Sequence, residues 1–176
     1  MKTKYKILIA IVPAIFLLDQ ATKLLIIKTM ELGARVPVIP GFFDIVNYRN
    51  TGAAFGLFSG MVDHVRIPFF YIIALVAVVL MSLLYRSLEE DERLMPIALS
   101  LVLGGIAGNM MDRIRLGSVV DFLSFHVGDD VLDFTLAGRH ISLPLEWPAF
   151  NVADSAITVA MILIFIAALR RSRGAA

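Results

Sequence analysis

Ile67-Pro-Phe-Phe-Tyr-Ile-Ile-Ala-Leu-Val-Ala-Val-Val-Leu-Met-Ser-Leu-Leu-Tyr85 is almost wholly apolar and carries no charged side chain. A helix that crosses the hydrocarbon core of a bilayer needs about 20 such residues, within a range of roughly 17 to 25. Residues 67–85 therefore predict a membrane span. The same test applied outward along the chain finds three more: 7–27, the glycine-rich 94–111, and 152–169. Lys2, Lys4 and Lys6 precede the first span, and Arg170, Arg171 and Arg173 follow the last. Composition agrees, because 59% hydrophobic with only 18% charged residues and a mean hydropathy of +0.82 suit lipid as solvent. Lys+Arg 16 against Asp+Glu 15 leaves a net charge of +1, without the basic surplus that neutralises phosphates, so nucleic-acid binding is excluded. The absence of Cys excludes disulfides, thiolate metal sites, cysteine nucleophiles and lipid attached to a Cys of this chain. Chemistry falls to carboxylates, hydroxyls, amides and a few His.

The first span could be confused with a secretory signal, since Lys2 to Lys6 resembles a basic leader and Ile7 to Leu18 an apolar core. The stretch runs on through Asp19, Gln20 and Lys23 to Ile27 without a small-x-small cleavage site, which predicts an uncleaved anchor. Lys and Arg close to span ends mark the cytoplasmic side, so both tails and the loop Arg86 to Arg93 are expected inside. The connections 28–66 and 112–148 then lie outside. Arg35 to Ile39 and Phe42 to Tyr48 are β-branched and aromatic around Pro40-Gly41, which predicts a small sheet. Val131 to Leu136 and His140 to Leu145 alternate around Ala137-Gly138, which predicts a hairpin. The expected fold is a mainly α, polytopic membrane protein with four transmembrane helices, a small extracytoplasmic β-sheet and an extra extracytoplasmic β-hairpin. Residues 1–176 form a single membrane-embedded domain, with no internal repeat and no low-complexity tract.

Charged residues inside spans cost about 2.5 to 3.5 kcal/mol each on insertion scales, so each needs a reason. Asp19 and Lys23 stand one turn apart on one helix face, as an ion pair with Lys23 snorkelling or as part of a site. In the third span Gly104 and Gly108 make a GxxxG face for close helix approach. Asn109, Asp112 and Arg113 follow on one side, either shaping a site or with Asp112 and Arg113 as an interfacial ion pair. Asp121 sits between apolar residues at the outer face. Asn151, Asp154 and Ser155 open the fourth span, where Asn151 fits an N-cap and Asp154 complements the helix dipole. Asp121 and Asp154 are nonetheless two carboxylates delivered to one membrane face. Two like charges in contact cannot both ionise, so one can activate a water while the other, protonated, polarises a carbonyl. Nothing indicates HExxH, GxSxG, a P-loop or an EF-hand; His64, His126 and His140 lack ligand spacing and are expected on the surface or in loops, so no metal and no cofactor is implied.

With these residues in hand, the chain resembles the lipoprotein signal peptidase family, signal peptidase II, over nearly its whole length. The resemblance rests on five blocks in order: Asp19-Gln20-Ala21-Thr22-Lys23, Asn50-Thr51-Gly52-Ala53-Ala54-Phe55-Gly56, Gly104 to Arg113, Val119-Val120-Asp121-Phe122, and Phe150-Asn151-Val152-Ala153-Asp154-Ser155. It implies an aspartyl endopeptidase of the bacterial inner membrane, with four helices and both termini cytoplasmic. Its active site would lie near the outer face. Asp121 and Asp154 would be the catalytic dyad, cleaving diacylglyceryl-modified prolipoproteins just before the lipidated Cys. Asn50, Gly52, Asn109, Arg113 and Asn151 would hold substrate or inhibitor, while Asp19, Lys23 and Asp112 would brace the helices. The partners so implied are the prolipoprotein, membrane lipids and the cyclic peptide globomycin, with the protein acting as a monomer. One departure stands out: Ser124 to Pro148, between the two Asp blocks, is longer than the family pattern and carries the extra hairpin, which bears on substrate gating and inhibitor fit.

Two other functions compete. Asp19 alone in a first span is a plausible proton carrier for a small proton-coupled transporter. A scaffold whose GxxxG helix binds a partner would leave the Asp residues as caps only. A transporter needs neither structured external connections nor two carboxylates on one face.

Overall fold

The computed structural model describes residues 1–52, 58, 60–136 and 139–174, of which 129–134, 136, 139–144 and 171–174 are described by their backbone alone. The four expected spans are helices: α1 (Thr3–Thr29), α2 (Asp63–Ser87), α3 (Leu94–Leu116) and α4 (Val152–Gly174). All four are long and apolar enough to cross a membrane. Each extends past its apolar run at one end or both, because backbone hydrogen bonding continues wherever flanking residues tolerate it. α3 thus carries Asp112 and Arg113 inside the helix, ending where Gly117 turns left-handed (φ 69°) and its N–H caps the Arg113 carbonyl at 3.0 Å.

α3 is the central helix. Glycines let its neighbours touch its backbone: a methyl at Gly104 would stand 2.9 Å from Ile15 of α1, and one at Gly105 2.6 Å from the Ala153 carbonyl of α4. The GxxxG face is thus a packing face, as expected. α2 is peripheral, burying only Arg66 and Tyr85 and turning Ile72, Leu75, Val79 and Leu83 outward, the pattern of a lipid-facing helix. At the end of the bundle where the chain starts, Lys4 donates to the carbonyls of Arg86 (3.0 Å) and Leu88, fastening the start of α1 to the end of α2.

At the opposite end the two predicted β pieces are one. β1 (Arg35–Ile39), β2 (Phe43–Asn50), β3 (Val119–Leu136) and β4 (Arg139–Phe150) form a single antiparallel sheet in the order β1-β2-β3-β4. The expected separate sheet and hairpin join because residues 119–125, apolar and β-branched, pair with β2 from Asn50↔Val119 to Phe43↔Phe125 before continuing into the hairpin. The hairpin pairing runs from Val131↔Pro144 to Leu136↔Arg139, and its expected turn, Ala137-Gly138, lies outside the described residues. Register irregularities between Leu123/Phe125 and His126/Val131 bend β3 along its length. Ile26, Val120 and Phe122 bury together where α1 meets the sheet, which fixes Asp121 over the bundle.

Candidate active site

Asp121 lies in β3 between Val120 and Phe122, and all three are buried. Asn50, the last residue of β2, is its diagonal cross-strand neighbour, since Tyr48 pairs with Asp121 and Asn50 with Val119. Asn50 Nδ2 donates to Asp121 Oδ2 at 3.0 Å while its Oδ1 accepts the Gly52 N–H at 3.0 Å. A backbone N–H can only donate, so that second bond fixes which end of the Asn50 amide faces Asp121. Of the block Asn50 to Gly56, residues 53–56 lie outside the described residues.

Asp154 comes from the first turn of α4. The Asp154 N–H donates to Asn151 Oδ1 (3.0 Å), and the Asn151 N–H donates to Asp154 Oδ2 (3.2 Å), a reciprocal N-terminal cap. Capping does not exhaust either residue. With its oxygen committed to the cap, Asn151 turns Nδ2 to Asp121 Oδ1 at 2.8 Å, with Asn109 Oδ1 at 3.1 Å and the Val120 carbonyl at 3.2 Å also in reach. Asn109 of α3 completes the circuit, its Nδ2 donating to Asp154 Oδ1 at 2.8 Å. Two asparagines therefore connect the two carboxylates.

Behind them stands Lys23, which is buried and does not snorkel. Its ammonium lies 2.9 Å from each of Asp19 Oδ2, Asp112 Oδ2 and Asn109 Oδ1. Three donors meet three acceptors, which is what a desolvated ammonium requires. Asp112 thus pairs with Lys23 and not with Arg113, and it also accepts the Val120 N–H at 3.1 Å, tying α3 to β3. Asp19 accepts the Ala153 N–H at 3.0 Å, an orphan donor in the first turn of α4. Sequence reasoning does not single out Gln20, whose Nε2 lies 3.1 Å from Asp19, from Asp112 and from the Gly108 carbonyl. A carboxamide beside two charges in an apolar span was the signal. Arg113 donates to the Gly52 carbonyl at 2.9 Å and lies over the Phe70 ring at 4.4 Å.

A cavity of about 710 Å³ opens over this circuit. Asn50, Gly52, Asn109, Arg113, Asp121 and Asp154 all line it. Its far wall is the end of β4, Trp147 to Phe150, which sequence reasoning did not place, facing Thr158 and Val159 of α4. Asn151 lies beneath the surface, fully buried, and acts on the cavity through Asp121. Burial, and then the charge of Asp154, push the Asp121 carboxyl up to about 7, outweighing the hydrogen bonds that favour its ionised form. Among the described residues no three His, Asp or Glu side chains stand together as metal ligands. His64 is exposed, as expected; the His140 side chain lies outside the described residues. His126, expected on the surface or in a loop, is instead a half-buried residue of β3, its ring nitrogens 2.9 Å from the Gly128 carbonyl and 3.1 Å from Asp44.

The chain is 41% identical to the lipoprotein signal peptidase of Geobacter metallireducens over 173 residues, 98% of this chain and 96% of that one. It is 37% identical to the lipoprotein signal peptidase of Staphylococcus haemolyticus, over 97% of this chain and 96% of that one. A solved bacterial membrane enzyme, determined by the in meso method at 2.3 Å resolution, superposes with a TM-score of 0.75 at 34% identity, covering 94% of this chain and 88% of its own. None of these relatives is a transporter by name, and the proton-carrier reading of Asp19 gives way to its place in the Lys23 cluster. The family model for signal peptidase (SPase) II matches residues 11–170, a span that takes in both carboxylates and every residue bonded to them, and the chain belongs to that family.

Proposed function

We propose that Asp121 and Asp154 are the catalytic dyad with which this aspartic-type signal peptidase II removes the signal peptide from diacylglyceryl-modified prolipoproteins, cutting just before the lipidated Cys. The observation that carries this reading is the pair of carboxylates on different elements, lining one cavity and joined through Asn151 and Asn109. Asp154 faces the amide of Asn109, which is polarised by the Lys23 ammonium behind it, and it accepts a backbone N–H as well, so it is the ionised member. Asp121, pushed up to about 7, is the member that holds the shared proton.

A water between them is the nucleophile. Asp154 takes one of its protons as the water oxygen bonds to the scissile carbonyl carbon, while Asp121 gives its proton to the carbonyl oxygen. Collapse of the resulting diol breaks the C–N bond, the Cys nitrogen takes up the proton held by Asp154, and a diol hydroxyl returns a proton to Asp121. The products are a peptide carboxylic acid and a free amine on the lipidated Cys, which become carboxylate and ammonium once the acid passes its proton to the amine, and no covalent enzyme intermediate forms. Asn50, Gly52 and Arg113 at the rim hold the substrate backbone, with Asn109 and Asn151 fixing the dyad beside it. Asp19, Lys23 and Asp112 brace α1, α3 and α4.

The chain resides in the bacterial inner membrane with both ends in the cytoplasm and the dyad near the outer face, a reading supported by the Lys and Arg that flank the first and last spans. Such a site gives water access while the diacylglyceryl chains remain in lipid. Residues 1–176 act as one membrane-embedded peptidase domain and as a monomer, and globomycin occupies the same cavity. The test is turnover of a diacylglyceryl-modified prolipoprotein by the purified protein in nanodiscs, read by mass spectrometry of the new N-terminus. Asp121→Asn and Asp154→Asn should each lower it by about 10²–10⁴-fold while inserting normally. Turnover retained in both variants would overturn the dyad.

A further inference from the structure

Outside the site, one polar cluster spans all four strands. Arg35 of β1 donates to Asp44 of β2 at 2.8 Å and reaches across the sheet to Glu146 of β4. Glu146 also accepts the Ser124 hydroxyl of β3 at 2.8 Å, and Tyr48 of β2 stands 3.3 Å from the Arg35 guanidinium. His126 of β3 closes the group against Asp44 at 3.1 Å. Asp44 and Ser124 are buried beneath the longer side chains, which is unusual for polar residues on the outer part of a sheet and requires that their partners stay in place.

The residue after Glu146 is Trp147, where the cavity wall begins. Its other end, Phe150, stacks on Phe125 (5.8 Å), which stacks on Phe43 (4.7 Å). The wall is therefore held at both ends, by rings at Phe150 and by charge at Glu146. Only the second is reversible by a change of one side chain without loss of packing.

Resting on the peptidase reading, we propose that Arg35 and Glu146 are positioning residues for substrate entry: their ion pair, seated on Asp44 and Ser124, clasps β1 to β4 and sets the gap between the Trp147–Phe150 wall and α4. The clasp touches neither dyad carboxylate, so it governs admission of the substrate and not the chemical step. Burial alone would push the Glu146 carboxyl up, but the Ser124 hydroxyl and the Arg35 guanidinium outweigh it and hold it below its usual range, as a clasp that is closed at neutral pH needs.

Trp147 is the only tryptophan in the chain, so its emission reports on the wall alone. In Arg35→Met and Glu146→Gln, measured in nanodiscs, KM for the lipidated substrate should rise about fivefold with kcat held within about twofold, the loss expected of a half-exposed ion pair. Trp147 emission and its quenching by iodide should shift in both. The double variant should be no worse than the worse single one, because both remove the same contact. Arg35→Lys should recover part of the KM, and with Glu146→Gln it carries the test should Arg35→Met fail to insert. Wild-type Trp147 emission with unchanged KM in both single variants would overturn the clasp, as would additive losses or a fall in kcat alone. A wild type that leaves the lipoprotein intact would overturn the peptidase reading instead, and Trp147 emission, which needs no substrate, judges the clasp independently of it.

Discussion

Asn151 carries two roles that look exclusive on paper. As an N-cap it satisfies the first turn of α4, and with the other end of the same amide it holds Asp121. The cap fixes the orientation of the amide, so capping α4 aims its other end at β3. The same economy governs Asn109, whose oxygen must face the Lys23 ammonium and whose nitrogen must therefore face Asp154. Directed this way, the circuit leaves one proton for the proposed dyad, and the consequence of that reading is a pH limb. Below about 7 Asp121 keeps its proton and can donate to the carbonyl oxygen; as pH rises through that value the proton is lost, both carboxylates are charged, and the acid is gone. The kcat/KM should fall about tenfold per pH unit above that point. A profile measured from pH 6 to 9 that stays flat would show that Asp121 is not the acid.

The helices owe their spacing to glycine. A methyl on Gly108 would collide with Asp19 Oδ2, which accepts from Lys23 and whose partner oxygen caps Ala153. Gly108→Ala must therefore push α1 from α3 or break the Lys23 cluster, at a cost of about 1–3 kcal/mol in overpacking alone. It should lower the thermal midpoint in detergent and activity together. Gly60→Ala, where nothing among the described residues lies within 4 Å, should leave both unchanged. An equal response of the two variants would sink the close-packing account. Elements of this kind were legible in the sequence: continuous apolar runs announce spans, and Gly104 with Gly108 announces a contact face. The union of the two β pieces was not, because residues 119–125 read equally well as the apolar margin of a span, and only pairing with β2 decides between them. Nor could spacing along α3 tell that Asp112 turns to Lys23 on α1 and not to its neighbour Arg113; that choice is made by helix packing, which a one-dimensional periodicity does not contain. The two carboxylates proposed as the dyad stand out in the sequence because both lie at span margins, where charge is expensive and needs a use.

Over the whole molecule, the bundle has two unlike ends. One is closed by Lys4 on the carbonyls that end α2, by Tyr85 on the Lys4 carbonyl and by the Lys2–Glu90 pair. The other carries the sheet, the cavity and both carboxylates. At 27 residues α1 spans about 40 Å, enough to cross a hydrocarbon core of about 30 Å and still project into the headgroups at each end. The two ends must then face different compartments, and flanking Lys and Arg favour the cytoplasm for the end that holds Lys4. A chain without Cys allows a direct test, since any cysteine introduced is the only one labelled. Val36→Cys, half exposed on β1, should react with a membrane-impermeant maleimide in intact spheroplasts; Glu89→Cys, exposed beyond α2, should react only after permeabilisation. The reverse pattern would put the cavity on the cytoplasmic side, where the dyad would face the wrong end of a translocated signal peptide, and the orientation argued from the flanking charges would fall.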